Sequence, residues 1–187
     1  MNNTYFILRH GETPYQLQKE KILYPWPEPS PILLTEKGKE QVKAASEKLK
    51  EEKIDLIYAS DMPRTRQAAE MVAQELGVEI IFDNRLWERE MGIYKGKPKE
   101  EYRKAFPVRK EKFFKPPPQG ESWDDVKKRV LDLAKDIDKK YQGKNILNVS
   151  HGCPLWLLQG GLKELSNDEL LEQKDKLNLK VGELRKI

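Results

Sequence analysis

Short apolar runs alternate along this chain with longer amphipathic stretches. Tyr5-Phe6-Ile7-Leu8 is a continuous apolar run, and it predicts a buried first strand over residues 4 to 9. Thr35 is a good N-cap, and Val42, Ala45 and Leu49 recur at helical spacing in a helix predicted from Glu36 to about Glu52. Ile54 to Ala59 reads as the second strand. Pro63 suits the first turn of a helix that runs to about Leu76, where Gly77 stops it. Val78 to Phe82 reads as the third strand. Further on, Ser122 caps a helix from about Trp123 to Tyr141, with Val126, Val130, Leu133 and Ile137 on one face. Lys144 to Val149 is the next strand. Pro154 begins a helix expected to reach about Gln159, before Gly160-Gly161. Ser166 caps a short helix to about Lys174, and Leu179 to Leu184 is expected as a final edge strand. Strands alternating with helices in this order predict an α/β fold, a three-layer α/β/α sandwich with a mostly parallel central sheet.

Two stretches break the pattern. Residues 14 to 34 carry Pro25, Pro27, Pro29 and Pro31, which exclude a regular helix or central strand and predict a long loop. Tyr24 and Trp26 are placed to pack that loop onto the body, and Tyr24 to Pro31 is a candidate wall for any site nearby. Residues 98 to 115 are expected to be helical and are rich in lysine, and Pro116-Pro117-Pro118 ends them. We read a small helical cap over about residues 95 to 119. No repeat or linker divides the chain, so residues 1 to 187 are expected to form one domain.

Composition narrows the class. Charged residues make up 35% of the chain and the net charge is +4, which favours anionic partners without singling out nucleic acid. No recognised nucleic-acid motif accompanies the basic segment. Cys153 is the only cysteine, so an intramolecular disulfide is impossible. No apolar run approaches about 18 residues, and Met1 to Thr4 has no basic n-region. The expectation is a cytoplasmic protein.

The chemistry lies at strand ends, where open α/β sheets bind ligands. The chain has two histidines, and each follows an apolar strand and precedes a glycine: Arg9-His10-Gly11 and Ser150-His151-Gly152. A neutral imidazole is a nucleophile toward phosphorus, and an arginine fork matches phosphate oxygens. Gly11 would let the backbone approach a ligand. A second histidine would stabilise charge on a transferring phosphoryl group. Arg64 follows the second strand in the first turn of a helix, where anions are favoured. Arg66, two residues on, need not face the same way. Leu86-Trp87-Glu88-Arg89-Glu90 offers an acid to protonate a leaving oxygen. The residues alone leave Glu88 and Glu90 equally open for that role.

Six blocks in order make the chain resemble the histidine phosphatase superfamily, the phosphoglycerate mutase-like family. They are Arg9 to Thr13; Leu34-Thr35 with Gly38; Ser60 to Arg64; Leu86 and Glu88 with Gly92 and Gly96; Gly120-Glu121-Ser122; and Ser150-His151-Gly152. The resemblance implies that His10 is phosphorylated during turnover, and that Arg9, Arg64 and His151 bind the phosphoryl group. It implies Glu88 as the proton donor, and neither metal nor organic cofactor. Departures from the family pattern are Gln16 in place of a common asparagine, Ala68 in place of a threonine, and Lys95 in place of an acid. Gln16 remains a candidate phosphate contact through its amide.

Mutases of this family look similar at every catalytic position. They usually carry a longer insertion between the acid loop and the Gly-Glu-Ser block, and a tail that helps close the site. The short stretch from Glu88 to Gly120 therefore favours phosphomonoester hydrolysis, with a cofactor-dependent phosphoglycerate mutase as the alternative. A non-catalytic module that binds phospho-ligands is a third reading. Retention of His10, His151 and Glu88 argues against it. The expected partner is a small, phosphorylated, anionic substrate. The basic residues of 95 to 115 are either an electropositive lid for it or a solvated helix face.

Overall fold

The structure, a computed structural model, describes residues 2–187. Five strands form one sheet in the order β3-β2-β4-β1-β5. The first four are β1 (Thr4–Arg9), β2 (Leu56–Ala59), β3 (Ile80–Phe82) and β4 (Asn145–Ser150), and their pairings are all parallel. The edge strand β5 (Leu184–Lys186) runs antiparallel to β1.

Alternation along β1 sorts its side chains between two layers. Phe6 and Leu8 pack beneath α2 (Glu36–Leu49) and α3 (Pro63–Leu76), with Val42, Leu49, Ala69 and Val72. Tyr5 and Ile7 face α5 (Trp123–Lys140) and α6 (Gly152–Leu162), joining two clusters around Val130, Leu133 and Trp156. The result is the three-layer α/β/α arrangement that the pattern predicts. Thr35 caps α2 by accepting from the Gly38 N–H, and Gly77 ends α3 at φ +68°. No helix among the described residues is long and apolar enough to cross a membrane.

Four expectations need correction. Residues 14 to 34 are not wholly irregular, because a single turn of helix, α1, spans Pro14–Leu17. The cap is not one helix: α4 covers only Lys99–Ala105, and a 3-10 turn follows at Lys110–Phe113. Pro107 excludes helical geometry from Phe106, whose φ and ψ are −127° and 66°. Gly160-Gly161 does not end α6, which runs on to Leu162. These glycines make room for neighbours: a Cβ on Gly160 would lie 2.0 Å from Leu170 Cδ2, and one on Gly161 would lie 2.7 Å from Leu131 Cδ1. Leu170 belongs to α7 (Asn167–Glu172), which is followed by α8 (Lys174–Leu177). Finally, residues 179 to 183 are a turn and not a strand. Gly182 sits at φ +71° and donates to the Arg9 and His10 carbonyls, and β5 starts only at Leu184.

Candidate active site

Parallel pairing of β1 with β4 sets Arg9 opposite Ser150, so the residues that follow, His10 and His151, leave the sheet side by side. The His10 N–H donates to the Ser150 carbonyl at 3.1 Å. The two rings meet edge-on with centroids 5.4 Å apart, and both side chains are buried. Strand β2 ends next to β4, and α3 begins there with Arg64 in its first turn. The same sheet edge therefore collects Arg9, His10, Arg64 and His151.

The state of His10 follows from its contacts. Its Nδ1 lies 2.8 Å from the Gly11 carbonyl, which can only accept, so Nδ1 carries the proton and Nε2 keeps its lone pair. Burial, with the Arg64 and Arg9 charges, holds its pKa well below the ordinary histidine value. The ring is neutral at pH 7. His151 is held neutral by the same causes, burial first and then Arg64. Its Nε2 lies 3.0 Å from Ser60 Oγ, and its buried Nδ1 has no partner among the described residues.

Arg9 Nε and Arg64 Nε are further buried donors without partners among the described residues. Arg9 is anchored by its Nη1, which donates to the Leu179 carbonyl at 2.7 Å. Unpaired buried donors of this kind are costly unless an anion meets them. Cys153 is close by, but burial pushes its thiol up to about 12, so it offers no thiolate at neutral pH.

The acid loop settles differently for its two carboxylates. Glu90 is engaged, accepting from the Gly92 N–H at 2.7 Å and pairing with Lys95 at 3.3 Å. Among the described residues Glu88 accepts only from the Arg89 N–H, at 3.0 Å, and it lines the cavity that holds Arg9 and Arg64. Glu121 explains the Gly-Glu-Ser block. It grips Arg129 in two hydrogen bonds of 2.8 and 3.0 Å, and Arg129 reaches the Arg85 and Glu88 carbonyls. Glu121 also accepts from the Glu90 N–H, so it fixes the loop that presents Glu88.

The remaining candidates differ in placement. Arg66 lies over the Phe82 ring and reaches Glu70, away from the cavity. Gln16 has its amide engaged: Oε1 accepts from the Thr13 N–H and hydroxyl, and Nε2 donates to the Tyr24 hydroxyl. It seats Tyr24 while lining the same cavity as Arg9 and Arg64. The close approach that Gly11 permits is to protein backbone, since a Cβ there would lie 2.2 Å from the Gly38 oxygen.

Sequence reasoning gave no role to Glu28. The proline-rich loop folds onto the site, Tyr24 lies against the Arg64 guanidinium at 4.0 Å, and Glu28 pairs with Arg64 Nη1 at 2.5 Å. Arg129 and Lys174 also escaped it, and Ser60 was read only as the start of the Ser60-to-Arg64 block, without its contact to His151. Their partners are distant in sequence, so no local pattern marks these contacts.

The chain matches the family model of the histidine phosphatase superfamily (branch 1) over residues 5–182, and it belongs to that superfamily. It is 29% identical to a 2,3-bisphosphoglycerate-dependent phosphoglycerate mutase of Bartonella tribocorum, covering 92% of this chain and 87% of that one. It is 32% identical to the Probable phosphoglycerate mutase GpmB of Escherichia coli over 82% of this chain and 71% of the relative. Among solved structures, YhfR of Bacillus stearothermophilus superimposes with a TM-score of 0.76 at 29% identity, covering 90% and 83% of the two chains. A mycobacterial glucosyl-3-phosphoglycerate phosphatase shares the fold, with a TM-score of 0.83 at 22% identity over 98% and 90%.

Proposed function

We propose that this protein is a phosphomonoester phosphatase working through a phosphohistidine on His10. The observation that carries the reading is the state of that ring: neutral, with Nδ1–H held on the Gly11 carbonyl and a lone pair on Nε2. In the first step Nε2 attacks phosphorus as the bond to the leaving oxygen breaks, and Glu88 gives that oxygen a proton. Arg9 Nε, Arg64 Nε and His151 Nδ1 are the donors that meet the phosphoryl oxygens as charge builds. In the second step water attacks the phosphorus, the P–N bond breaks, Glu88 takes a proton from the water, and orthophosphate leaves.

The short cap supports hydrolysis. Between Glu88 and Gly120 there is one helix of two turns, α4, and three-residue and four-residue 3-10 turns at Gly92–Tyr94 and Lys110–Phe113. Such a cover leaves a phosphohistidine open to water. The second reading, a phosphoglycerate mutase, draws on the names of the relatives at 29% and 32% identity. One experiment separates them: phosphate release from a panel of phosphomonoesters in EDTA, with isomerisation of 3-phosphoglycerate followed in parallel. Release without isomerisation is expected. Fast isomerisation with little release would establish the mutase.

A further inference from the structure

Three neighbouring strands each shed one residue at the sheet edge, and the register sets those residues in a row. Strand β4 lies between β1 and β2. Arg9 pairs with Ser150 and Ala59 with Val149, so His10, His151 and Ser60 leave the sheet together. The backbone contact repeats across the row: the His10 N–H donates to the Ser150 carbonyl and the Ser60 N–H to the Val149 carbonyl, both at 3.1 Å. Ser60 and His151 are wholly buried, and Ser60 Oγ meets His151 Nε2 at 3.0 Å.

Which atom carries the proton in that contact follows from the partners of Ser60. Its oxygen already accepts from the Met62 N–H at 3.3 Å. A buried hydroxyl must also give its own proton to an acceptor. Among the described residues, His151 Nε2 is the one acceptor within its reach. The reverse arrangement, with Nε2–H donating to Ser60, would strand the serine proton in a dry interior. A doubly protonated ring is excluded as well, because burial and then the Arg64 charge hold His151 neutral. With Nε2 accepting, the single proton of the neutral ring sits on Nδ1, the buried atom that has no partner among the described residues. The two histidines therefore share one tautomer, fixed from opposite sides. A carbonyl acceptor fixes it at His10 Nδ1, and a hydroxyl donor fixes it at His151 Nε2. The shared tautomer gives the rings opposite tools: His10 offers a lone pair, and His151 offers an N–H.

We propose that Ser60 is a positioning residue for the reaction: its hydroxyl locks His151 as the Nδ1–H tautomer, so that this ring presents a hydrogen-bond donor and not a lone pair to the transferring phosphoryl group. The inference rests on the phosphatase reading for the group that meets Nδ1. Ser60 touches no reacting atom and acts through His151. Loss of the hydroxyl frees the ring proton to move to Nε2. Nδ1 would then face the anion with a lone pair, and a stabilising contact would become a repulsive one. The Met62 N–H holds the serine oxygen in place immediately before α3, whose first turn carries Arg64. The Ser60-to-Arg64 segment thus serves two of the phosphoryl contacts, one directly and one through a tautomer.

The tautomer can be read directly, because the chain has only two histidines. Long-range ¹H–¹⁵N correlation spectra of protein labelled with ¹⁵N-histidine distinguish a protonated from a bare ring nitrogen. His10→Ala leaves His151 alone in the spectrum and so assigns it. At neutral pH, His151 is expected to carry its proton on Nδ1 with Nε2 bare, in wild type and in His10→Ala. Ser60→Ala should move that proton wholly or partly to Nε2 and lower kcat by about 10–100-fold with little change in KM. Ser60→Thr should restore both the Nδ1 proton and most of the rate. A proton on Nε2 of wild-type His151 would overturn the proposal, whether or not the variants fold. So would a Ser60→Ala variant that kept its activity, or one that lost it with the Nδ1 proton still in place, since Ser60 would then act only through Met62 and α3. An Nδ1 proton on His151 in a protein that hydrolyses no phosphomonoester would instead overturn the phosphatase reading and keep the tautomer lock.

Discussion

The Glu28 carboxylate pairs with the Arg64 guanidinium at 2.5 Å, and both side chains are almost wholly buried, at 3% and 1% exposure. Glu28 comes from the proline-rich loop, and Arg64 is one of the two arginines beside His10. The Glu28 charge sits on the same guanidinium whose Nε faces the phosphoryl group, so it opposes a bound anion. Glu28→Gln should therefore bind inorganic phosphate or vanadate more tightly, by about three- to tenfold, on the order of 1 kcal/mol. The unliganded variant should melt lower than wild type, because Arg64 is left as an uncompensated buried charge. Equal or weaker phosphate binding would mean that Glu28 stays paired and orients Arg64 for the ligand.

The pH dependence follows from the direction of the histidine shifts. The reactive form of His10 is unprotonated, and burial with Arg64 and Arg9 holds its pKa well below the usual 6.5. As pH falls from 7.5 through 6.5 the folded ring stays neutral. Once corrected for substrate ionisation, kcat/KM should stay level across that window and fall only in more acid solution. Stability runs the same way as it does for a paired carboxylate. Below pH 6.5 the unfolded chain takes up protons on both histidines while the folded one does not, so stability is lost as pH drops. A kinetic midpoint near 6.5 would contradict the buried, neutral ring.

Much of this site was legible in the residues and much was not. Tyr5 to Leu8 and Ile146 to Val149 are apolar runs that end at Arg9-His10 and at Ser150-His151, and strand alternation with parallel pairing does the rest. Thr35 and Gly77 mark helix ends by local geometry, so they too can be read in sequence. Gly160-Gly161 misleads because a glycine pair signals a break unless one knows that Leu170 and Leu131 press on it. Glu28 with Arg64, and Lys174 over Trp156, are joined only by the tertiary fold. Charge pattern along the chain cannot show such pairs.

The two acid-loop carboxylates should separate by experiment. Glu88→Gln is expected to lower kcat/KM for alkyl phosphates by about 10²-fold or more, and much less for 4-nitrophenyl phosphate, whose leaving group needs no proton. Glu90→Gln should spare the leaving-group dependence and cost about 0.5–1.5 kcal/mol of stability through its Gly92 and Lys95 contacts. Equal losses for both substrates in Glu88→Gln would remove it from the acid role.

Gly38 supports the site from below. A Cβ there would lie 2.1 Å from the Glu12 oxygen, which is backbone and cannot swing aside. Gly38→Ala should destabilise the protein by about 1–3 kcal/mol in urea unfolding. Little or no loss would show that the strand β1 exit and the first turn of α2 are looser than their contact implies.

Transfer of the phosphoryl group to His10 is the claim on which the rest depends. Rapid acid-free quenching after a brief mix with a phosphomonoester, followed by peptide mass spectrometry, reads it directly. The account predicts an acid-labile, base-stable phosphate on His10 that forms faster than turnover and is absent in His10→Ala. Turnover with no phosphate on His10, or with His10→Ala still active, would contradict it.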